Sequence, residues 1–434
     1  AIFASLVIAT SSSCNEKENT TPDSGKEDNT SAVKAPHIFV ARTDGYHTFR
    51  IPALAKSKKG TLLAFCEGRK LSGSDTGDIN LILRRSTDGG TTWGNIITVW
   101  DDGLNTCGNP SPVVDPVSGR IHLLMTWNFQ TDGKSAGDFN KDGATKDTRR
   151  VWYTCSDDDG LTWASPREIT SSVKKDDWGW YATGPCHGIV MTKAPYEGRI
   201  VIPCDYNQKG GSGYSHVIYS DDNGVTWKIG GAVKGGNESS VAETGDGRLI
   251  ISCRAGGGKR LLAYSADGGE TFTAGVANSS LPDPRCQGTI LSAVKDGKEV
   301  LLHCNCSNSS SRTHLTLKGS TDSGATWCDG QIIWDKPAAY SDIVLVKDEI
   351  VGAGMFTPSS LHSCFTFTVF LAEPKRKVRT VSRASLVKFS VRETLTVELP
   401  DSPPLGETVH QSVAPEDTPH SQLAVTLTVS SAAS

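Results

Sequence analysis

Residues 86–93 read STDGGTTW, and the pattern returns as SDDDGLTW at 156–163, SDDNGVTW at 220–227, SADGGETF at 265–272 and STDSGATW at 320–327. Five copies of Ser-x-Asp-x-Gly-x-Thr-aromatic call for a shared structural role. Each follows an apolar, strand-like run: INLILRR, RRVWYTC, SHVIY, KRLLAY and THLTLKG. Within a copy, the Asp carboxylate can accept backbone N–H groups across a turn, and Gly supplies a positive φ. The Thr hydroxyl can bond locally, and the aromatic ring is free to turn inward. The unit reads as a hairpin turn that carries its own clasp.

The copies start 70, 64, 45 and 55 residues apart, and a spacing of about 58 suits four short strands with their turns, one blade of a propeller. Residues 37–375 have room for six such blades. Helical periodicity is nearly absent, which argues against a parallel α/β fold. The expected fold is therefore all-β, a six-bladed β-propeller. The 44 glycines and 10 tryptophans suit a protein built from tight turns and packed sheets.

A net charge of −4 gives no electrostatic case for nucleic acid. The N-terminal stretch, residues 1–36, combines a short apolar run from Ile2 to Ala9 with Cys14 and a polar segment. That run is too short to span a bilayer. It reads as the end of an export signal and a linker, and Cys14 is a candidate lipid-attachment site that would anchor the chain to a membrane. Export to the periplasm, the cell surface or the medium is the expectation. Of twelve cysteines, most lie in apolar runs, such as Cys66 in LLAFCEG, Cys204 in VIPCDY and Cys253 in LIISCRA. They read as buried free thiols. Cys304 and Cys306, one residue apart in HCNCS, match no metal spacing.

The repeats resemble the Asp-boxes of sialidases (neuraminidases), which mark the outer turns of a six-bladed propeller. YHTFRIPAL at 46–54 is similar to that family's Arg-Ile-Pro signature. The chain is thereby identified as a member of the family, of the bacterial exo-α-sialidase type. The resemblance implies that Arg50 is one of three arginines gripping the carboxylate of sialic acid, a sensible task for bidentate guanidinium forks. NESSVAETGDGRLIISCRA at 237–255 and SSSRTHLTLKG at 309–319 resemble the segments that carry Glu238, Arg254 and Arg312. Arg248 reads as a hairpin residue. FCEGRKLSGSDTGDINL at 65–81 matches Arg69 to a sugar contact and Asp75 to the general acid/base. Asp78 is the rival for that role, but it abuts the strand-like INLILRR.

PAAYSDIVLV at 337–346 resembles the segment carrying the family's nucleophile, here Tyr340, with Glu238 as its activating base. Asn109, in CGNPSPVVD, is matched to a sugar contact. Trp180 and Tyr181 either line the pocket or pack, and His187 reads as structural. No cofactor or metal is expected. The implied partners are sialylated glycans: glycoproteins, glycolipids and oligosaccharides. Two alternatives to hydrolysis stay open, namely transfer of sialic acid to another sugar and a propeller that binds sialic acid without turning it over.

The resemblance stops near residue 350. The family continues with a segment whose glutamate steadies the first arginine, whereas this chain reads VGAGMFTPSSLHSCF. A divergent end and a reading frame shifted relative to relatives both fit. FTFTVFLA at 365–372 is a candidate closing strand. Residues 376–434, rich in Ser, Thr, Pro and Val, read as a divergent, poorly ordered tail.

Overall fold

The computed structural model describes residues 37–129, 149–208, 211–295, 297–347, 350–357 and 364–371. The leader, Cys14 and the tail 376–434 lie outside them. Among the described residues there are 25 strands and a single helix, Thr170–Val173.

The strands form antiparallel groups of four. The first group runs Thr48–Lys56, Leu62–Arg69, Ile79–Ser86 and Ile97–Trp100, and the second runs Thr106–Val114, Ile121–Asn128, Arg150–Ser156 and Arg167–Glu168. A single parallel pairing, Ile79 at the start of the third strand with Thr106 at the start of the next group, joins them. The third group is Trp178–Thr183, Ile200–Gln208, Gly213–Ser220 and Lys228–Lys234, with Ile189–Val190 added beside Ile200–Gln208. The fourth is Ser239–Glu243, Leu249–Cys253, Lys259–Ser265 and Val276–Pro282, and the fifth is Thr289–Lys295, Lys298–Cys306, Leu315–Ser320 and Gln331–Trp334. The sixth takes Ser341–Lys347, Ile350–Thr357 and Cys364–Leu371 from the end of the described chain and His37–Val40 from its start. The candidate closing strand thus pairs on one side with Ile350–Thr357 and on the other with His37–Val40. Joining both ends of the described chain in one sheet closes the structure.

Apolar faces of successive groups meet in six buried clusters, one per seam. Val113, Leu124 and Tyr153 of the second group meet Ile200, Ile202 and Ile218 of the third, and Phe39 of the sixth meets Phe49 and Leu54 of the first. The other four seams are closed in the same way. The sheets therefore form a ring, a β-propeller, with their first strands against one another on the inside.

All five repeats join the third strand of a group to the fourth. In each, the Ser hydroxyl donates to the Asp and accepts the Gly N–H. The Thr N–H and hydroxyl both donate to the same Asp carboxylate. The geometry is the same at 220–226, 265–271 and 320–326. Gly160 and Gly224 sit at φ 79° and 80°, in the left-handed region that glycine tolerates. Each aromatic then enters the seam with the preceding group: Trp93, Trp163, Trp227, Phe272 and Trp327 each join a different cluster. The repeats are latches between neighbouring sheets as well as turns.

Candidate active site

Antiparallel alternation puts the start of each first strand and the end of each second strand at the same edge of its sheet. The residues singled out from the sequence lie at that edge. Arg50 lies near the start of the first strand of the first group, Arg69 ends its second strand, and Asp75 stands in the following loop. Asn109 is the fourth residue of the first strand of the second group. Glu238 immediately precedes the fourth group and Arg254 follows its second strand. Arg312 lies in the loop after Lys298–Cys306, and Tyr340 immediately precedes the sixth group.

Tyr340 is at the centre. Its hydroxyl donates to Glu238 Oε1 at 2.5 Å and accepts from Arg254 Nη1 at 3.0 Å. Arg254 Nη1 also donates to Glu238 Oε2 at 2.5 Å, and the backbones join through Arg254 N and Glu238 O. The guanidiniums of Arg50 and Arg312 lie 6.0 Å and 5.8 Å from the Tyr340 ring centroid. The ring is 7% exposed. Burial, and after it the Glu238 charge, push the phenol well above its ordinary pKa. The resting hydroxyl is therefore protonated, with its proton aimed at Glu238. Three guanidiniums thus surround one phenol, although Arg50 and Arg312 are 262 residues apart in the chain.

Asp75 Oδ1 accepts from Arg50 Nη1 and Arg69 Nη1, each at 2.7 Å. Burial opposes its ionisation, but the Arg69 and Arg50 charges outweigh that and hold the carboxyl below its usual range. Its side chain is 55% exposed, facing the open edge. Asp78, the rival, is instead tied to Lys70 at 3.3 Å. Arg69, matched in sequence to a sugar contact, is 2% exposed. It donates to Glu67, Asp75 and the carbonyls of Gly73 and Ser74. In this arrangement it holds the Asp75 loop.

Asn109 is buried with φ 51°. Its N–H donates to Glu67 Oε1, and its side-chain oxygen accepts from Arg149 Nη1 at 3.3 Å. Arg149 lies 3.8 Å over the Trp180 ring, and Trp180 Nε1 donates to Asp205 Oδ2 at 2.7 Å. Asn237 Nδ2 donates to the same oxygen. Burial, with the Glu238 charge second, raises the Asp205 carboxyl to about 8. Arg149 and Asp205 escaped the sequence reading, because nothing around TRRVWY or VIPCDY sets them apart from ordinary strand residues. Trp180 belongs to this wall, whereas Tyr181 is fully buried in the seam between the second and third groups. His187 is structural: its Nδ1 and N–H both engage the buried carboxylate of Asp342.

A β-propeller whose inner edge gathers three guanidiniums, a carboxylate-bound phenol and a separate half-exposed carboxylate is the architecture of a glycan-processing enzyme with an anionic substrate. A BNR repeat-like domain matches residues 60–356. The exo-alpha-sialidase of Arthroderma benhamiae is 32% identical over 332 residues, 71% of this chain and 78% of that protein. A sialidase of Bacteroides fragilis is 30% identical, over 75% of this chain and 62% of that protein. The solved structure of the Hadza microbial sialidase Hz136 superposes with a TM-score of 0.72 at 27% identity, covering 78% of this chain and 68% of that one. The chain belongs to the sialidase family of glycoside hydrolases.

Proposed function

We propose that this chain is an exo-α-sialidase that releases terminal sialic acid from glycoconjugates with retention, using Tyr340 as nucleophile. The observation that carries the reading is the Tyr340 hydroxyl bonded to both Glu238 and Arg254, between the guanidiniums of Arg50 and Arg312. The anomeric carbon of sialic acid bears its own carboxylate. Three guanidiniums offer that group charge and bidentate donors. A carboxylate nucleophile would be repelled by it, whereas a protonated phenol is neutral on approach. Sialidases are the tyrosine-using exception among retaining glycosidases.

In the first step Glu238 takes the phenolic proton as Tyr340 oxygen bonds to the anomeric carbon, and the glycosidic bond breaks with Asp75 protonating the departing oxygen. In the second, Asp75 removes a proton from water as the water oxygen bonds to the same carbon, and the bond to Tyr340 oxygen breaks with its electron pair left on that oxygen. Glu238 then returns the phenolic proton. Substrate capture by Arg50 relieves Asp75 of one of its two guanidinium partners, which favours the protonated form needed to start the cycle.

The test is to follow 3′-sialyllactose in the purified chain by proton NMR. Release of the α-anomer of sialic acid first, before mutarotation, is the expected result. Initial release of the β-anomer would remove Tyr340 from the nucleophile's role. A sialylated product made from added acceptor sugar would point instead to transfer.

A further inference from the structure

The two-step reaction leaves one buried carboxyl beside the site without a task. Asp205 lies near the end of Ile200–Gln208, the second strand of the third group. The ends of second strands also supply Arg69 in the first group and, one residue beyond Leu249–Cys253, Arg254 in the fourth. Asp205 is 0% exposed, so it does not touch substrate. Its Oδ2 accepts from Trp180 Nε1 at 2.7 Å and from Asn237 Nδ2 at 2.9 Å. Its Oδ1 is buried with no hydrogen-bond partner among the described residues.

Both bonds lead to the site. Asn237 directly precedes Glu238, and Ser239 directly follows it. Ser239 Oγ donates to Cys204 O at 3.3 Å. The two neighbours of Glu238 are therefore tied to consecutive residues, Cys204 and Asp205, of the adjoining sheet. Asn237 is held a second time, its carbonyl accepting from Ser215 Oγ at 2.5 Å. Between these anchors Glu238 reaches the Tyr340 hydroxyl and Arg254 Nη1. On the other side, the bond to Trp180 fixes the ring over which Arg149 lies at 3.8 Å, and Arg149 donates to Asn109. One carboxyl thus joins the segment carrying Glu238 to the wall carrying Asn109.

We propose that Asp205 is a positioning residue of the sialidase reaction: by holding Asn237 it fixes where Glu238 meets Tyr340, and by holding Trp180 it keeps the Arg149 wall aligned with that pair. It does so as a neutral acid. A buried carboxylate calls for donors at both oxygens, and here both donors point at Oδ2, which leaves Oδ1 to carry a proton. Glu238, Arg149 and Arg254 are the charged groups that face it. Tyr181 and Cys204 pack beside it, and burial keeps both protonated. Burial, and after it the Glu238 charge, raise Asp205 to about 8, with Arg149 and Arg254 opposing. Below that pH the acid accepts both N–H groups and adds no charge. Above it, a second negative charge stands beside Glu238 and draws on Arg254, the partner of both Glu238 and Tyr340.

The inference rests on the sialidase reading, and Asp205→Asn and Asp205→Ala test it. The amide matches the neutral acid in shape, and its oxygen can accept both N–H groups. Alanine leaves Trp180 and Asn237 unpaired. Both variants and wild type are assayed on a nitrophenyl sialoside, whose leaving group does not need Asp75, from about pH 6 to about pH 10, with melting curves to check folding. Near pH 6, Asp205→Asn should keep kcat within about threefold of wild type. Asp205→Ala should lose about tenfold or more in kcat, with KM changing far less, because the base is displaced while Arg50 and Arg312 still hold the substrate. Wild-type kcat/KM should fall above about pH 8, by up to about tenfold per pH unit, and Asp205→Asn should hold through that range. Should Asp205→Ala fold poorly, the pH profile of Asp205→Asn decides. The proposal is overturned if a folded Asp205→Ala keeps wild-type kcat, if Asp205→Asn loses as much as Asp205→Ala, or if wild type and Asp205→Asn share one alkaline limb. Absence of turnover in wild type would overturn the sialidase reading and this inference with it, whereas an active wild type with indifferent variants overturns this inference alone.

Discussion

The Tyr340 hydroxyl stands 2.5 Å from Glu238 Oε1, although 102 residues separate the two in the chain. Each immediately precedes the first strand of a sheet, Ser239–Glu243 for Glu238 and Ser341–Lys347 for Tyr340. First strands line the inside of the ring, so residues at their starts converge whatever their sequence separation. The same placement delivers Arg50 from Thr48–Lys56. A buried carboxylate and a buried phenol sharing a short hydrogen bond form a unit whose members act together.

Removing the phenolic oxygen tests that unit. Tyr340→Phe keeps the ring that faces Arg50 and Arg312 but deletes both hydrogen bonds of the hydroxyl. Turnover of a fluorogenic sialoside is expected to fall on the order of 10³-fold or more, with Glu238→Gln close behind and the double variant little worse, because partners in one step are not additive. Near-normal turnover in Tyr340→Phe, with an unchanged melting profile, would refute the nucleophile.

Asp75 makes a different prediction. A general acid matters most when the leaving group is a poor one. Asp75→Asn should therefore lose about 10²-fold or more on sialyllactose, whose leaving oxygen needs a proton. It should lose far less on a nitrophenyl sialoside, whose leaving group departs unaided. Equal losses on both substrates would show that Asp75 serves only to hold Arg50 and Arg69.

The outline of the fold was legible because its latch is local. Ser, Asp, Gly and Thr of one repeat satisfy one another within seven residues, so the pattern survives in the sequence. The aromatic's destination, the seam with the preceding sheet, was not legible, since it depends on the ring. Arg50, Glu238, Arg254, Arg312 and Tyr340 were found through their flanking segments, and the structure brings them together. Arg149 and Asp205 carry no such flank. Their character comes from burial beside Trp180, Asn109 and Asn237, which only closure of the sheets creates. Arg69 was legible as a site residue but not as a buried one, because its partner Glu67 sits two residues away on the same strand and gives no sign of turning toward it.

Asp342 ties the first and sixth sheets together beneath the site. Its buried carboxylate accepts from Leu54 N at 2.8 Å, His187 N at 3.0 Å, His187 Nδ1 at 2.7 Å and Ile343 N at 2.9 Å. Asp342→Ala strands these donors in a dry interior, and a loss of about 3–5 kcal/mol in urea unfolding is expected. Asp342→Asn, which still accepts, should cost less. The two variants unfolding alike, within error of wild type, would mean that water replaces the carboxylate.

The repeat carboxylates give stability a definite pH signature. At Asp158, burial disfavours ionisation, but donation from the Thr162 hydroxyl, the Thr162 N–H and Ser156 outweighs it and brings the carboxyl down to about 2. Asp88, Asp222, Asp267 and Asp322 are lowered for the same reason. An unfolded aspartate titrates near 3.9. A group depressed on folding stabilises fully above its unfolded value and loses that contribution as pH falls through its folded value. The five latches should therefore hold at pH 7 and weaken together between about pH 4 and pH 2. These carboxylates are exposed or half-buried, so each contributes modestly: Asp158→Asn should cost about 1 kcal/mol at pH 7, solvent screening included. The gap in melting temperature between wild type and Asp158→Asn is expected to narrow steadily as pH drops below about 4, closing near pH 2. A gap that stays constant across that range would mean that the turn is held by its backbone and glycine alone, with the carboxylate's charge playing no part.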